Sequence, residues 1–457
     1  MKKLYRFSAI ALLVLPLVFT SCSDYLDRDD DDNITEADVF ARYEKVNGLV
    51  SDVYAAAKKA DRPLVFFEHF SNSAITDECE GTNVEGNITN NFNNGAWNPN
   101  SLPGSVGQYW EALYEGIRKA NLIIENVQKY NTPDNPQQDG DLRNRIGEMY
   151  FMRGYFHMLL LRMYGEAPYI DRVINAGDNM DFKKESVHSM VEKIVTDAQT
   201  AYGMVPNKYV KTSENFGRVD KGACLGLISF VRWVAATPLW NGASQYGYNL
   251  RRVFENEYAY DATRWRKAKE AAKAVLDFEV GGTKRYSLYT KHDANDFKDP
   301  ADGNLNDSRV YARLWDMFYD MDAFANEYVF FMTKSKDQAW QGDIYPPSRE
   351  GSSRQQPVQE QVDEYEYIVG DYGYPVYSAE ARKGGYDDTN PYVKGTRDPR
   401  FYRDVIYHGA PYRNNKNESK TINTASGSDK IGATNATTTG YYLRKFQQES
   451  WNKSGNL

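Results

Sequence analysis

The sequence predicts a mostly α-helical chain. A scaffold of tetratricopeptide-like helical hairpins is followed by a loop-rich, aromatic-rich second half with a few short strands. Three observations carry this expectation. Between residues 39 and 275, apolar residues recur at three- and four-residue spacing in separate segments. Pro and Gly punctuate the ends of those segments. Beyond residue 285 the periodicity gives way to Tyr/Gly/Pro-rich stretches. Composition agrees with a folded chain, since 41% hydrophobic residues in 457 suffice for two or three lobes, and 14% aromatics are foreign to disordered segments. The mean hydropathy of −0.69 excludes a polytopic membrane protein. A net charge of −8 argues against a nucleic-acid partner, because phosphate backbones reward clustered Lys and Arg.

The first element is a leader, residues 1–21. Lys2, Lys3 and Arg6 precede an apolar run from Ala9 to Phe19, too short for a comfortable membrane span. Thr20-Ser21-Cys22 then places small residues before a cysteine, as in a bacterial lipobox, where the cysteine is diacylated and becomes the new N-terminus. Phe19 or Val18 stands where Leu is commonest, and an ordinary signal peptide with an incidental Cys is the plainer alternative. Residues 22–37 read as an acidic, solvated tether containing Asp29 to Asp32. Its alternating Asp27, Asp29 and Asp31 fail as an EF-hand because Asp32 occupies the position that needs Gly.

Helices follow in order over residues 38–284. Val39 to Tyr54 forms the first amphipathic pattern, Trp110 to Val127 the second and Ile146 to Met163 the third, which stops at Gly165-Glu166-Ala167-Pro168. The second and third should pack as an antiparallel hairpin joined by the Pro133–Gly140 loop. Val187 to Tyr202, Ala223 to Val234 and Trp265 to Val275 complete the set. Residues 71–108, dominated by Asn, Gly, Thr and Ser, read as a long loop region. In the second half, residues 285–457, Tyr328 to Thr333 and Tyr441 to Phe446 read as strands, and residues 415–440 as a mobile polar insertion.

Several segments together resemble the SusD/RagB family of Bacteroidetes nutrient-binding lipoproteins. They are Cys22-Ser23-Asp24-Tyr25-Leu26-Asp27, Trp110 to Asn121, Gly147 to Phe156, Arg162 to Ile170, Gly217 to Ala223, Asp398-Pro399-Arg400-Phe401 and Tyr441 to Phe446. The resemblance implies a cell-surface lipoprotein, anchored in the outer membrane through lipid on Cys22. It would bind a nutrient, most readily a glycan, and deliver it to a SusC-like TonB-dependent transporter. The helical half would face the transporter and the loop half the ligand. The acidic stretch after Cys22 is similar to the signal that sends such lipoproteins to the outer face of that membrane. Family members continue past the Tyr441–Phe446 strand into a helix pair, whereas this sequence stops at Leu457. A truncated C-terminal region is therefore the expectation.

The residues themselves offer little catalytic chemistry. Five His make no zinc-protease pair at four-residue spacing, and neither a P-loop nor a nucleophile elbow occurs. No cofactor is implied. Acidic pairs are too numerous to single out a glycosidase dyad, so a surface hydrolase stays as an alternative reading, as does a helical-repeat adaptor without a small ligand. Loop aromatics fit carbohydrate, whose apolar C–H faces stack on flat rings. The candidates are Trp97, Trp340, Tyr345, Tyr372 and Tyr374, with Trp315 ambiguous; ordinary loop packing is the competing reading. Trp97 and Trp340 are expected to stand largely exposed. Trp110, Trp233 and Trp265 fall on helix faces and read as core. Asp299, Asp302, Asn304, Asn306 and Asp307 form an oxygen-rich loop where calcium is an option beside a plain turn. Cys79 and Cys224 are able to pair if exported, but Cys224 reads as a small buried hydrophobe.

Overall fold

The computed structural model describes residues 35–40, 42–61, 66–67, 70–81, 88–98, 100–101, 104–130, 136–209, 215–242, 254–290, 317–318, 320, 325–332, 342–393, 395–413 and 419–445. The leader, Cys22, most of the acidic tether, the Asp299–Asp307 loop, Trp315 and Trp340 lie outside the described residues.

The helical half forms as its periodicity predicts. A short α1 (Glu36–Phe40) leads into α2 (Tyr43–Asp61), and α3 (Ile88–Asn93) precedes α4 (Gly104–Tyr130) and α5 (Pro136–Tyr164). Next come α6 (Val187–Met204), α7 (Lys221–Ala236) and α8 (Ala262–Asp277). Ser186, Asp220 and Asp261 cap the last three, each side chain accepting from a backbone N–H of the first turn. The α4–α5 pair is the expected antiparallel hairpin: Tyr164 OH reaches the carbonyl of Val106, and Arg153 meets Asn121. Helix α5 begins at Pro136, within the stretch expected as the Pro133–Gly140 loop, as suits a proline in a first helical turn.

Helix α5 is the central element, and residues 151–161 are all buried. Its Met149, Met152, Phe156, Leu159 and Leu160 meet Val50 and Val53 of α2, Leu113 and Ile117 of α4, and Val191 and Ile194 of α6 in one continuous core. Each such side chain contributes about 1.5–3 kcal/mol by leaving water. Helices α4 and α5 approach closely enough that a Cβ on Gly116 would lie 2.5 Å from the Phe156 ring.

A helix buried all round must pair its polar residues. Arg153 grips Asp197 with Nε at 2.8 Å and Nη2 at 2.5 Å, while Nη1 donates to Asn121 Oδ1 and the Asp171 carbonyl. Glu148, fully buried, accepts from Arg145, Arg218, Tyr54 and Tyr209. His157 stacks on Tyr169 at 3.7 Å. Its Nε2 accepts from the Ile170 N–H, so the ring proton sits on Nδ1, facing the Arg153 carbonyl. Burial pushes the His157 pKa down to about 3, with the Arg153 and Lys193 charges adding to the depression.

The strands are short, and among the described residues they form two-stranded ladders: β1 (Phe66–Phe67) with β2 (Phe70–Ser71), β3 (Cys79–Gly81) with β6 (Gln355–Pro357), and β4 (Glu279–Val280) with β5 (Thr283–Lys284). Likewise β7 (Tyr367–Val369) pairs with β8 (Tyr372–Tyr374), β9 (Val405–Ile406) with β12 (Tyr442–Leu443), and β10 (Pro411–Arg413) with β11 (Ser419–Thr421). Short helices α9 (Gln359–Asp363), α10 (Ala379–Lys383) and α11 (Pro399–Asp404) lie between them. The β3–β6 ladder joins the two halves, extended by Val358 N–H donating to the Glu78 carbonyl.

Several local expectations are corrected. Residues 328–332 are irregular rather than a strand, because Phe330 packs edge-on against Phe151 and Tyr155 of α5. The 71–108 region contains β3 and α3 rather than loop alone. Residues 419–440 are anchored: Asp429 accepts from Ser348 N–H, and the Gln356 amide serves Thr437, Thr438 and Ser353. Trp233 and Trp265 are 51% and 43% exposed, because the α7–α8 pair closes one edge of the scaffold and leaves these rings on its outer side. Cys79 and Cys224 are separate, buried thiols, and burial pushes the Cys79 pKa up to about 12.

Candidate functional site

The β7–β8 hairpin presents aromatic rings on a rigid base. Gly370 adopts φ 62° in its two-residue turn, a conformation that favours Gly. The register Tyr367↔Tyr374 and Val369↔Tyr372 puts these four side chains on one face, since alternate residues of a strand share a side. That face packs on Val376, Ala381 and Tyr386. Tyr367 and Tyr386 are buried, their rings edge-to-face at 5.5 Å, and Tyr374 is half-buried. Tyr372, next to the turn on the same face of the hairpin, is 69% exposed.

A second exposed ring adjoins the same cluster. Tyr377 is 57% exposed and stands edge-on to Tyr386 at 6.1 Å. Its hydroxyl donates to Asp363 Oδ2 at 3.0 Å, and partial desolvation with that carboxylate raises its pKa to about 12. Around the rings lie hydrogen-bonding groups suited to sugar hydroxyls: Asp371 in the turn, and the Arg382–Asp388 pair at 3.1 Å. Beneath, Arg397 is 1% exposed and donates to the Val362 and Tyr365 carbonyls, locking α9 against β7.

The other sequence candidates are dispersed. Tyr345 is 3% exposed and packs on Tyr412, Ile406 and Tyr442, so it is a core residue and not a surface contact. Its place in a Pro-rich loop signalled exposure, but Gly351 and Ser353 fold back over it. Trp97 is half-buried instead of standing clear, seated on Ile88, Val106 and Met163 with Phe92 edge-on at 4.9 Å. Phe92 is 40% exposed beside exposed Asn91, Asn94 and Asn98, so this corner offers a smaller aromatic edge. Tyr377 was missed by the sequence reading although it lies three residues beyond Tyr374. The signal available was the alternation Tyr367-x-Val369 and Tyr372-x-Tyr374 about a Gly-Asp turn, which announces a hairpin.

An apolar groove of about 570 Å³ between α5, α7 and α8, lined by Phe230, Trp233, Leu276 and Val329, lacks the polar fringe that sugar hydroxyls need. Among the described residues, no group of three or more His, Cys, Asp or Glu could hold a metal ion, and no helix is long and apolar enough to cross a membrane.

Two family profiles match this sequence in tandem. One, described as starch-binding and associating with outer membrane, covers residues 24–231; the other, described as the SusD family, covers residues 314–457. The chain belongs to the SusD/RagB family. Among curated proteins, the SusD-like protein P2 of Formosa agariphila is 24% identical over 202 residues, 43% of this chain. The match spans only 38% of that relative's length. A solved SusD-like protein from Bacteroides fragilis aligns with a TM-score of 0.63 at 18% identity, covering 91% of this chain and 70% of that one. A SusD-like carbohydrate binding protein from the same species gives 0.63 at 14%, covering 91% and 69%. At such identities the likeness is one of fold, and it makes this chain a SusD-type helical scaffold.

Proposed function

We propose that this SusD/RagB chain is a cell-surface lipoprotein that binds a glycan and delivers it to a SusC-like TonB-dependent transporter. The observation that carries the binding site is the pair of exposed rings, Tyr372 and Tyr377, on the buried Tyr367–Tyr386 base. A flat ring left in water forgoes about 1.5–3 kcal/mol of burial, so two rings on one rigid base call for a partner. Sugar C–H faces suit them, with Asp371, Asp388 and Arg382 available for hydroxyls. Family membership and the carbohydrate-binding relative support the ligand class, and they favour binding over hydrolysis.

Cys22 is the proposed lipid anchor and residues 22–37 the tether. The helical region 38–284 would face the transporter and the region 285–457 the ligand. Trp315 and Trp340 remain proposed contacts on the ligand side; Trp97, with Phe92, is proposed as a secondary edge.

The test is calorimetry of the chain against a panel of plant, storage and host glycans. Tyr372→Ala and Tyr377→Ala should each weaken binding by about tenfold, equivalent to ~1.4 kcal/mol, with thermal stability nearly unchanged. Variants that bind as the parent does would remove this site.

A further inference from the structure

We infer that the tyrosine hairpin selects uncharged glycans and rejects carboxylated or sulfated ones. This inference rests on the glycan-binding reading above and adds the chemical class of the ligand. The segment carrying the rings is acidic on its surface. Among the described residues from 359 to 400, the exposed acids are Glu360, Glu364, Glu366, Asp371, Glu380, Asp387 and Asp388, whereas the exposed bases are Arg382, Lys383 and Arg400, the last paired with Asp398. Arg382 is engaged by Asp388, and Arg397 is buried and spent on backbone carbonyls, so neither is an exposed free cation.

The acids flank the rings along the chain. Asp371 immediately precedes Tyr372 in the turn. The Glu366 carboxylate folds over Gly373, where a Cβ would meet its Oε2 at 2.1 Å. Tyr377 itself holds Asp363. A neutral sugar uses such carboxylates as hydroxyl acceptors. An anionic sugar stacked on the same rings brings its charge near the Asp363, Glu366 and Asp371 carboxylates. Like charges at that range repel even in water, and salt screens them over about 8 Å at physiological ionic strength. The discrimination is therefore electrostatic and falls with salt, unlike a steric one.

The experiment titrates the full chain in detergent with matched probes that differ only in charge. These are laminarin and sulfated laminarin, soluble starch and carboxymethyl starch, and methyl-esterified homogalacturonan and its free acid. At about 20 mM salt the neutral member should bind roughly tenfold more tightly, and at about 500 mM the ratio should fall to about two. A triple variant, Glu360→Gln, Glu364→Gln and Glu380→Gln, should narrow the low-salt ratio while leaving neutral binding as it was. An anionic probe that binds as tightly as its neutral partner overturns the inference and leaves the glycan reading standing. A ratio unmoved by salt and by the triple variant also overturns it. If no probe of either kind binds, the glycan reading falls and the inference goes with it.

Discussion

Helices α2, α4, α5 and α6 share one continuous, mainly aliphatic core, whereas residues 342–445 divide their interior among small clusters centred on tyrosine. The helical half holds itself by burial and by charge pairs sealed inside it. The second half holds itself by phenol hydroxyls spent on neighbours: Tyr402 donates to the Val393 carbonyl, Tyr442 to the Asp429 carbonyl and Tyr365 to Asp404. The difference teaches how one chain can be both scaffold and display surface. An aliphatic side chain is stabilised only by leaving water, but a tyrosine cluster can leave one ring in water, its hydroxyl satisfied, while its neighbours stay locked.

The sharpest test of this contrast is Glu148→Ala. It strands Arg145 and Arg218 in the helical interior without their shared carboxylate, and a cost of about 3–5 kcal/mol is expected. Chemical denaturation should report it as loss of the whole helical signal. A change under about 1 kcal/mol would mean that the buried network is not what holds α2 to α5.

Phe156→Ala and Phe401→Ala compare the two interiors directly, since both rings are fully buried. About 3–5 kcal/mol is expected for Phe156. Less is expected for Phe401, whose small cluster with Tyr365, Tyr392 and Tyr407 can close over the gap. Hydrogen exchange should then rise across residues 359–445 alone in the Phe401 variant, with α4–α7 still protected. Equal global losses in both would show one cooperative unit and break the comparison.

Acid should weaken the helical half first. His157 is held neutral in the fold, with its pKa near 3 against an ordinary value near 6.5. Below pH 6.5 the unfolded chain takes up a proton that the folded chain refuses. Stability therefore declines as pH falls from about 6.5 toward 3, by at most about 1.4 kcal/mol per unit from this residue. Burial lowers His188 to about 4 in the same sense. His157→Gln should flatten the slope of melting temperature against pH over that window.

The smallest effect on stability belongs to Tyr372→Ala, expected within about 0.5 kcal/mol because the ring is a surface substitution on an intact hairpin. Large destabilisation there would mark the ring as structural.

The helical half was legible in the sequence because residues such as Leu113, Ile117 and Ile124 repeat at the period of a helix, and burial follows that period. The candidate site was legible only in part. Tyr372 and Tyr374 were found by composition, yet composition could not separate them from Tyr345, which the chain's own turns cover. Short strands of two or three residues carry almost no alternation to read. Their pairing is decided by partners far along the chain, as β3 with β6, and no local window contains that information. Trp233 and Trp265 misled for the converse reason: a periodic ring at the last hairpin of an array has no next hairpin to cover it among the described residues.

The β3–β6 ladder also sets an order of events. It joins residues about 280 positions apart, so its few backbone hydrogen bonds must repay a large loop-closure entropy, which grows as the logarithm of that separation. The helical hairpins between its strands need only local contacts and can form while the rest of the chain is still fluctuating. The ladder is then a late clasp, closed after the scaffold has already brought its two strands near each other. Until it closes, Cys79, whose thiol is shielded in the finished fold, stands open to solvent and to any oxidant there. The rate at which a thiol reagent stops reacting with Cys79 during refolding is thus a direct clock for the moment the two halves become one molecule.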